Sequence, residues 1–360
     1  MGKKEGVLGE GIFARPFFLS FTHIATHYVF WYSNGYMNES SFQGDRRDTS
    51  SLDIWLATEF REEYDRQYRI LNKLGLLDIL PESNEMGIIG IDNQEYPIPS
   101  KETIEQEIKR NREVYETKLS QGFTEIQLTP FAIPLDNLIS TLEQRIKEHH
   151  KQGKLLATKE SPSDKDEPLD LDTNQPVYVW DEWKGSDIDG SGVYHPTSFD
   201  QTKHNGYTKA EVLKAKEGLP LAGWNVLMVE PNKNIPRQGK GKTIGKRKQI
   251  ETNQTPREYL KQLQTNPEYA NEQGMTNEDW LTMFITHLEK TNQVIDDYSG
   301  KGSANFLAGS YKPSSDFLGY GNWNRDNRQA FLYRGNPGNR VSSTGLRSAV
   351  GIGQELVFGV

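Results

Sequence analysis

Apolar residues recur three and four apart in some stretches of this chain and alternate or run together in others, and these periods predict its elements. Residues 12–33 are dense in aromatic and β-branched side chains, including Phe17-Phe18-Leu19-Ser20-Phe21 and Tyr28-Val29-Phe30-Trp31-Tyr32, and read as strands. Across 52–78, Leu52, Trp55, Leu56, Ile70, Leu71 and Leu74 keep helical spacing with charge between them. Residues 101–119 predict a charged helix whose one face carries Ile104, Ile108 and Tyr115. The segment 124–128 alternates as a half-buried strand, and a helix follows over about 135–150, with Leu138, Leu142 and Ile146 four apart. Residues 158–175, with Asp164, Asp166, Asp170, Asp172 and two prolines, form an acidic loop or linker.

Beyond it, 177–180 reads as a strand. Thr208 with Glu211 and Thr255 with Glu258 fit the capping box, Pro256 suits a first helical position, and Thr276 with Asp279 is a weaker start of the same kind. The apolar run 224–229 between Gly223 and Pro231 predicts a buried strand. Over 277–295, Trp280, Leu281, Phe284, Ile285 and Leu288 share one stripe of a helix. After Asp297 no helix is expected; 299–360 is glycine-rich, with short strands such as 305–308 and 346–350 between ordered loops. The final apolar run Glu355-Leu356-Val357-Phe358 is expected to pair with 124–128, or failing that with 17–21. The fold class is α+β.

Length and composition narrow this picture. A chain of 360 residues suggests two domains, or one with large insertions. Aromatic residues at 11% argue against disorder, although hydrophobic residues reach only 34%. A net charge of −8 excludes a generic nucleic-acid binder. Zero cysteines exclude disulfides, thiolate metal sites and cysteine nucleophiles. No apolar run reaches the roughly 18 residues of a membrane span. No secretory signal is visible behind Met1, and Gly6 stands where myristoylation needs Ser or Thr, so a cytoplasmic location is the default expectation.

Candidate chemistry is sparse. His23 and His27 have helical metal-ligand spacing, but Ile24 replaces the glutamate of that motif and the surroundings read as strand, so aromatic packing is the preferred reading. His149 and His150 suit a helix C-terminus, with no function assigned. Asp187-Ile188-Asp189-Gly190-Ser191-Gly192 resembles the front of a calcium loop, yet its twelfth position is Ser198 instead of the closing glutamate, so it reads first as a turn, with calcium left open. Gly239-Lys240-Gly241-Lys242-Thr243 resembles a phosphate loop with Pro236 where the leading glycine belongs. What remains is a basic loop of Arg237, Lys240, Lys242, Lys246, Arg247 and Lys248, a solvated surface segment first and an anion or nucleic-acid site second. No catalytic residue, metal site or cofactor is assigned.

The unusual stretch is 319–350, Gly-Tyr-Gly-Asn-Trp-Asn-Arg-Asp-Asn-Arg-Gln-Ala-Phe-Leu-Tyr-Arg-Gly-Asn-Pro-Gly-Asn-Arg-Val-Ser-Ser-Thr-Gly-Leu-Arg-Ser-Ala-Val. It mixes Asn, Arg, Tyr, Phe and Asp without visible periodicity and has the composition of a paratope. Its Gly-x-Trp-Asn, then Ala-Phe, then a polar loop, then Ser-x-x-Gly-Leu-Arg-Ser-Ala resembles the C-terminal variable region of diversity-generating retroelement variable proteins. The specific match covers about 35 residues; a looser one takes in the Trp224 strand and the Thr255 and Thr276 helices. The overall flavour is similar to the large microbial, viral or archaeal members, those of nanoarchaeal and related small-genome sources included. The resemblance implies a C-type lectin fold of the formylglycine-generating-enzyme type, with large insertions, over 121–360; residues 1–120 find no place in the family and read from their own pattern as a mixed α/β extension.

It also implies how the face is diversified. Error-prone copying at template adenines varies Asn codons of the AAY form, which reach Asn, Asp, Ser, Thr, Tyr, Phe, Arg and Gly but not Trp or Gln. On that reading Asn322, Asn324, Asp326, Asn327, Phe331, Tyr333, Asn336 and Asn339 form one exposed binding face. Trp323, Gln329, Gly345, Leu346 and Arg347 are its scaffold, with Ala330, Leu332, Ala349 and Val350 packing below, Gly345 permitting a tight turn and Arg347 buried and hydrogen-bonded. Arg325, Arg328, Arg334 and Arg340 are permitted outcomes or loop anchors. The expected function is binding of a protein or cell-surface target, without catalysis, membrane insertion or nucleic acid. The alternatives are an anion or nucleic-acid module at 237–248 and a formylglycine-generating oxidase, the latter disfavoured because those enzymes use paired cysteines with copper.

Overall fold

The structure, a computed structural model, describes residues 50–159, 161–298, 300 and 302–353. The strands expected over 12–33, His23 and His27, and the strand expected at 355–358 lie outside the described residues. Helices α1 (Ser51–Ala57) and α2 (Glu59–Lys73) come first, then strands β1 (Asp78–Ile79), β2 (Met86–Ile89) and β3 (Glu95–Pro97) and helices α3 (Lys101–Arg110) and α4 (Arg112–Ser120). Strand β4 (Glu125–Thr129), helix α5 (Leu135–Lys151), strands β5 (Val177–Val179) and β6 (Val193–Tyr194), helix α6 (Lys209–Ala215) and strand β7 (Asn225–Val229) follow. A small hairpin of β8 (Thr243–Ile244) and β9 (Arg247–Lys248) leads to α7 (Pro256–Thr265), β10 (Gln273–Gly274) and α8 (Asn277–Thr291). The chain then runs through β11 (Ala304–Lys312), β12 (Phe317–Asn324), β13 (Gln329–Gly335), β14 (Thr344–Gly345) and β15 (Ser348–Gly351).

Helices and largely antiparallel open sheets make the class α+β. One antiparallel sheet has the order β10-β15-β7-β4; a larger mixed sheet has the order β14-β11-β12-β13-β5, with β6 also on β11. The three capping boxes all form, and the start read as weak, Thr276 with Asp279, is complete and buried. Two stretches read as single helices are each broken once, at Thr58 (φ −121°) and at Asn111 (φ −118°, ψ 44°). Asn292 takes a left-handed conformation (φ 62°) and ends α8. The β1–β3 meander was not anticipated; its strands are too short to show a period.

No break falls at 120/121. Leu52, Phe60, Ile104 and Tyr115 share one apolar core with Val226, Leu288 and Val350. The acidic segment is tied down at several points: Leu169 N–H donates to the Leu155 carbonyl (2.9 Å) and Asp172 N–H to the Arg328 carbonyl (2.8 Å).

The C-terminal part corrects the sequence reading most. Residues 304–335 form a three-stranded meander, β11-β12-β13, whose strands are longer than the short segments expected. Its alternation was hidden because both faces are used and glycine takes the inward positions. A Cβ on Gly321 would lie 2.4 Å from Trp280 Cε2, and one on Gly319 2.1 Å from Asn277 Oδ1, so β12 can sit on α8 only without side chains there. Gly321→Ala should therefore cost about 1–3 kcal/mol, read from urea unfolding midpoints.

Lys216, 3% exposed, supplies a pH test. Burial pushes its ammonium down to about 8, against the pull of Asp279. Because the unfolded value is near 10.4, the unfolded chain holds a proton that the folded one has released between those values. Stability should rise from about pH 8 to 10, by roughly 2–3 kcal/mol from this group, and Lys216→Met should remove that share of the slope in pH-dependent urea titrations.

Candidate functional site

The β11-β12-β13 meander has one face over α8 and one face away from it. Toward α8 point Leu307, Gly319, Gly321 and Trp323, and Trp323 is fully buried with Trp280 below. On the other face the register sets Tyr320 opposite Tyr333, Asn322 opposite Phe331 and Asn324 opposite Gln329. Half of this second face is covered: Phe306, Leu318 and Leu346 pack there with Tyr259 and Leu263 of α7. Beyond Tyr320 the cover stops. What remains open is a concavity of about 620 Å³.

Its walls come from three places. Strands β12 and β13 give Tyr320, Asn322, Asn324, Gln329, Phe331 and Tyr333, and their connecting turn gives Asn327. Strand β5 and the acidic segment before it give Tyr178, Gln175 and Asp172; Tyr298, after α8, closes the remaining side. Tyr178 meets Phe331 edge-on at 5.1 Å and Tyr333 at 5.7 Å between ring centres, which fixes three rings in one cluster. The Asp172 carboxylate accepts from Asn174 N–H (3.0 Å) and Gln175 N–H (3.4 Å) through one oxygen. Gln329 donates to the Gln175 carbonyl and so ties the hairpin to that segment. Asn322 is 2% exposed and its Oδ1 has no hydrogen-bond partner among the described residues.

The turn between β12 and β13 is held from outside. Arg328 is left-handed (φ 56°), and Asn327 N–H donates to Asn324 Oδ1 (2.9 Å). Arg325 grips buried Asp297 through two bonds (2.8 and 2.6 Å) and reaches Glu167 (2.5 Å), and these carboxylates hold its guanidinium firmly charged. Below, Arg347 donates to Asp296 (2.9 Å) and to the Asn232 carbonyl, while Trp280 Nε1 donates to the other Asp296 oxygen (3.0 Å). Burial pushes the Asp296 carboxyl up, against the pull of Arg347.

Five of the eight residues expected on the face therefore line one concavity: Asn322, Asn324, Asn327, Phe331 and Tyr333. Asn322 is buried on its floor rather than exposed, because Tyr320, Phe331 and the strand itself surround it. Asp326 is exposed at the hairpin turn without lining the site. Asn336 and Asn339 are exposed beyond the far end of β13 and do not line the concavity. Of the scaffold residues, Trp323, Gln329, Leu346 and Arg347 are buried, and Gln329 also forms part of the wall. Gly345 makes no left-handed turn: it lies in β14, and a Cβ there would come 2.6 Å from Ile235 Cγ2, so close packing is its reason. Arg334 stacks on Phe317 (4.6 Å) and Arg340 binds Glu258 (2.5 Å), so both anchor.

Tyr178, Tyr298, Tyr320, Gln175 and Asp172 were missed. Tyr178, flanked by valines, and Tyr320, flanked by glycines, each carried a period-two signal; Tyr298, Gln175 and Asp172 reach the site only through tertiary folding.

The other sequence candidates are spent on structure. Asp187 accepts from Lys209 (2.7 Å) and from Leu135 N–H (2.8 Å) at the start of α5, and Asp189 folds back onto Ser191. The glycine loop is filled by the chain's own carboxylate, since Glu251 accepts from Gly241 N–H at 2.7 Å and from Gly239 N–H. Arg247 is fully buried between Glu272 and Glu230, over Phe123, and is no part of a basic surface. Among the described residues no group of His, Asp or Glu is arranged to hold a metal ion. No helix in the described residues is long and apolar enough to cross a membrane. No family model, curated protein or solved structure matches this chain.

Separate substitutions should distinguish support from surface. Trp323→Ser should cost about 3–5 kcal/mol, and Arg347→Leu a similar amount by stranding Asp296. Ser at Asp326, Asn327 or Asn339 should stay within about ±0.5 kcal/mol, all read by chemical denaturation.

Proposed function

We propose that this chain is a ligand-binding protein that presents the β12–β13 concavity to a protein or cell-surface target, without catalysing a reaction. One observation carries the reading. Asn322, Asn324, Asn327, Phe331 and Tyr333, all reachable from AAY codons, converge on the uncovered part of one sheet face, while Trp323, Ala330 and Leu332 of the same strands are buried. A strand pair with that division can change its display without losing its core. The lining also suits recognition: fixed aromatic rings give contact area, and amides give adaptable hydrogen bonding.

We take the scaffold to be C-type lectin-like, as in the variable proteins of diversity-generating retroelements. The last strand among the described residues, β15, lies in one sheet with β4, separated from it by β7, which supports a scaffold that brings the two ends of 121–360 near each other. The anion-binding alternative is weakened, because Glu251 occupies the glycine loop and Arg247 is buried, although Lys240, Lys242, Lys246 and Lys248 stay exposed. An oxidase of the formylglycine-generating type would need cysteines that the chain lacks.

The direct test is the coding locus. Sequencing it across a population should find a near-copy of the segment encoding 319–350 beside a reverse transcriptase, with variants at template adenines and concentrated at codons 322, 324, 327, 331 and 333. A locus with no such copy and no excess variation at those codons would remove the retroelement reading.

A further inference from the structure

The concavity carries one sign of charge. Among its eleven lining residues, five are aromatic (Tyr178, Tyr298, Tyr320, Phe331, Tyr333), five are amides and one is Asp172; none is Lys or Arg. Arg325, in the turn, is already held by Asp297 and Glu167. Arg328 is exposed at the same turn and is not among the lining residues. An anion would find no cation in these walls. A cation finds the negative faces of several rings, a carboxylate with one oxygen free of the Asx turn, and amide carbonyls. The buried Oδ1 of Asn322, without a hydrogen-bond partner among the described residues, adds an independent place for a donor.

From this we infer that the concavity receives an arginine side chain of a partner protein. The inference rests on the face being the binding surface, and adds what that surface recognises. A guanidinium fits better than an ammonium: it is planar, stacks on rings, is weakly hydrated, and carries five N–H donors in a fixed fork. Stacked against the Tyr178–Phe331–Tyr333 cluster, it presents donors both to Asp172 on the rim and, with a turn of the Asn322 side chain, to the floor. The same sheet already uses this contact on its other face, where Arg334 lies 4.6 Å from the Phe317 ring centre and 5.5 Å from that of Trp180.

The test uses the full chain and three probes: acetyl-Gly-Arg-Gly-amide, its citrulline counterpart and a neutral disaccharide, cellobiose. Binding is followed by NMR shifts of the Asn322, Asn324 and Gln329 side-chain amides. The arginine peptide should shift these signals saturably, and the uncharged citrulline peptide should bind about tenfold more weakly. Asp172→Asn, which keeps the turn-forming oxygen, should weaken the arginine peptide about threefold or more. Phe331→Leu and Tyr333→Leu should weaken it further while melting temperature reports that each variant is folded, and Arg328→Ala should not weaken it. Equal binding of the arginine and citrulline peptides overturns the inference. So does a cellobiose response without an arginine response, or silence from all three probes. If the locus still shows diversification at these codons, any of those results removes arginine recognition alone and leaves the display role standing.

Discussion

The site depends on how closely β12 lies on the first turns of α8. Gly319 and Gly321 let the strand backbone reach Asn277 and Trp280, and Trp323 then fills the space beyond. The same contact is made one strand over: Asn277 N–H donates to Ser310 Oγ (2.9 Å), and Gly309 N–H donates to the Met275 carbonyl (2.9 Å). With the inward face of the meander fixed at backbone distance, the outward positions are set in register. Tyr320, Asn322 and Asn324 can face only one way, and β13 brings Tyr333, Phe331 and Gln329 beside them.

Buried charge fixes α8 in turn. Lys209, fully buried, joins Asp187 (2.7 Å) and Glu278 (2.9 Å) and lies over the Phe131 ring, while Tyr194 donates to Glu278 (2.6 Å). Such pairs add little net stability, because desolvation offsets their attraction, but removing one partner is strongly unfavourable. Their effect here is positional: the first turn of α8 is held to α6, β6 and the start of α5. At the other end of the site, Asp296 and Asp297 bind Arg347 and Arg325, one beneath the sheet and one at the hairpin turn. The β12–β13 turn is therefore supported by groups that do not face the concavity.

Local signals in the sequence account for much of the frame. The helices with strong stripes, the buried strand at 225–229 and all three capping boxes follow from spacing that reports a single burial direction. The breaks at Thr58 and Asn111 did not, since neither residue is a strong helix breaker. The hairpin was unreadable for a different reason. Glycine at the buried positions and Tyr and Asn at the outward ones invert the usual hydrophobic alternation. For the concavity, the composition of 319–350 drew attention to β12 and β13 but carried no sign of the geometry. Asn336 and Asn339 match by residue type and fall past the end of β13, whereas Tyr178 and Tyr298 arrive from segments distant in sequence. Arg247 looks basic and exposed in the sequence, and only the fold shows that Glu230 and Glu272 enclose it.

The central claim is that one strand pair keeps support and display on opposite faces. It is tested most directly by a saturation scan of 317–335 with protease resistance as the folding readout. The account predicts alternating tolerance over the open half of the sheet. Positions 320, 324, 331 and 333, with the turn at 326 and 327, should accept most polar substitutions, and 319, 321, 323, 330 and 332 should accept almost none. Uniform tolerance across both sets, or intolerance concentrated at the outward positions, would contradict it.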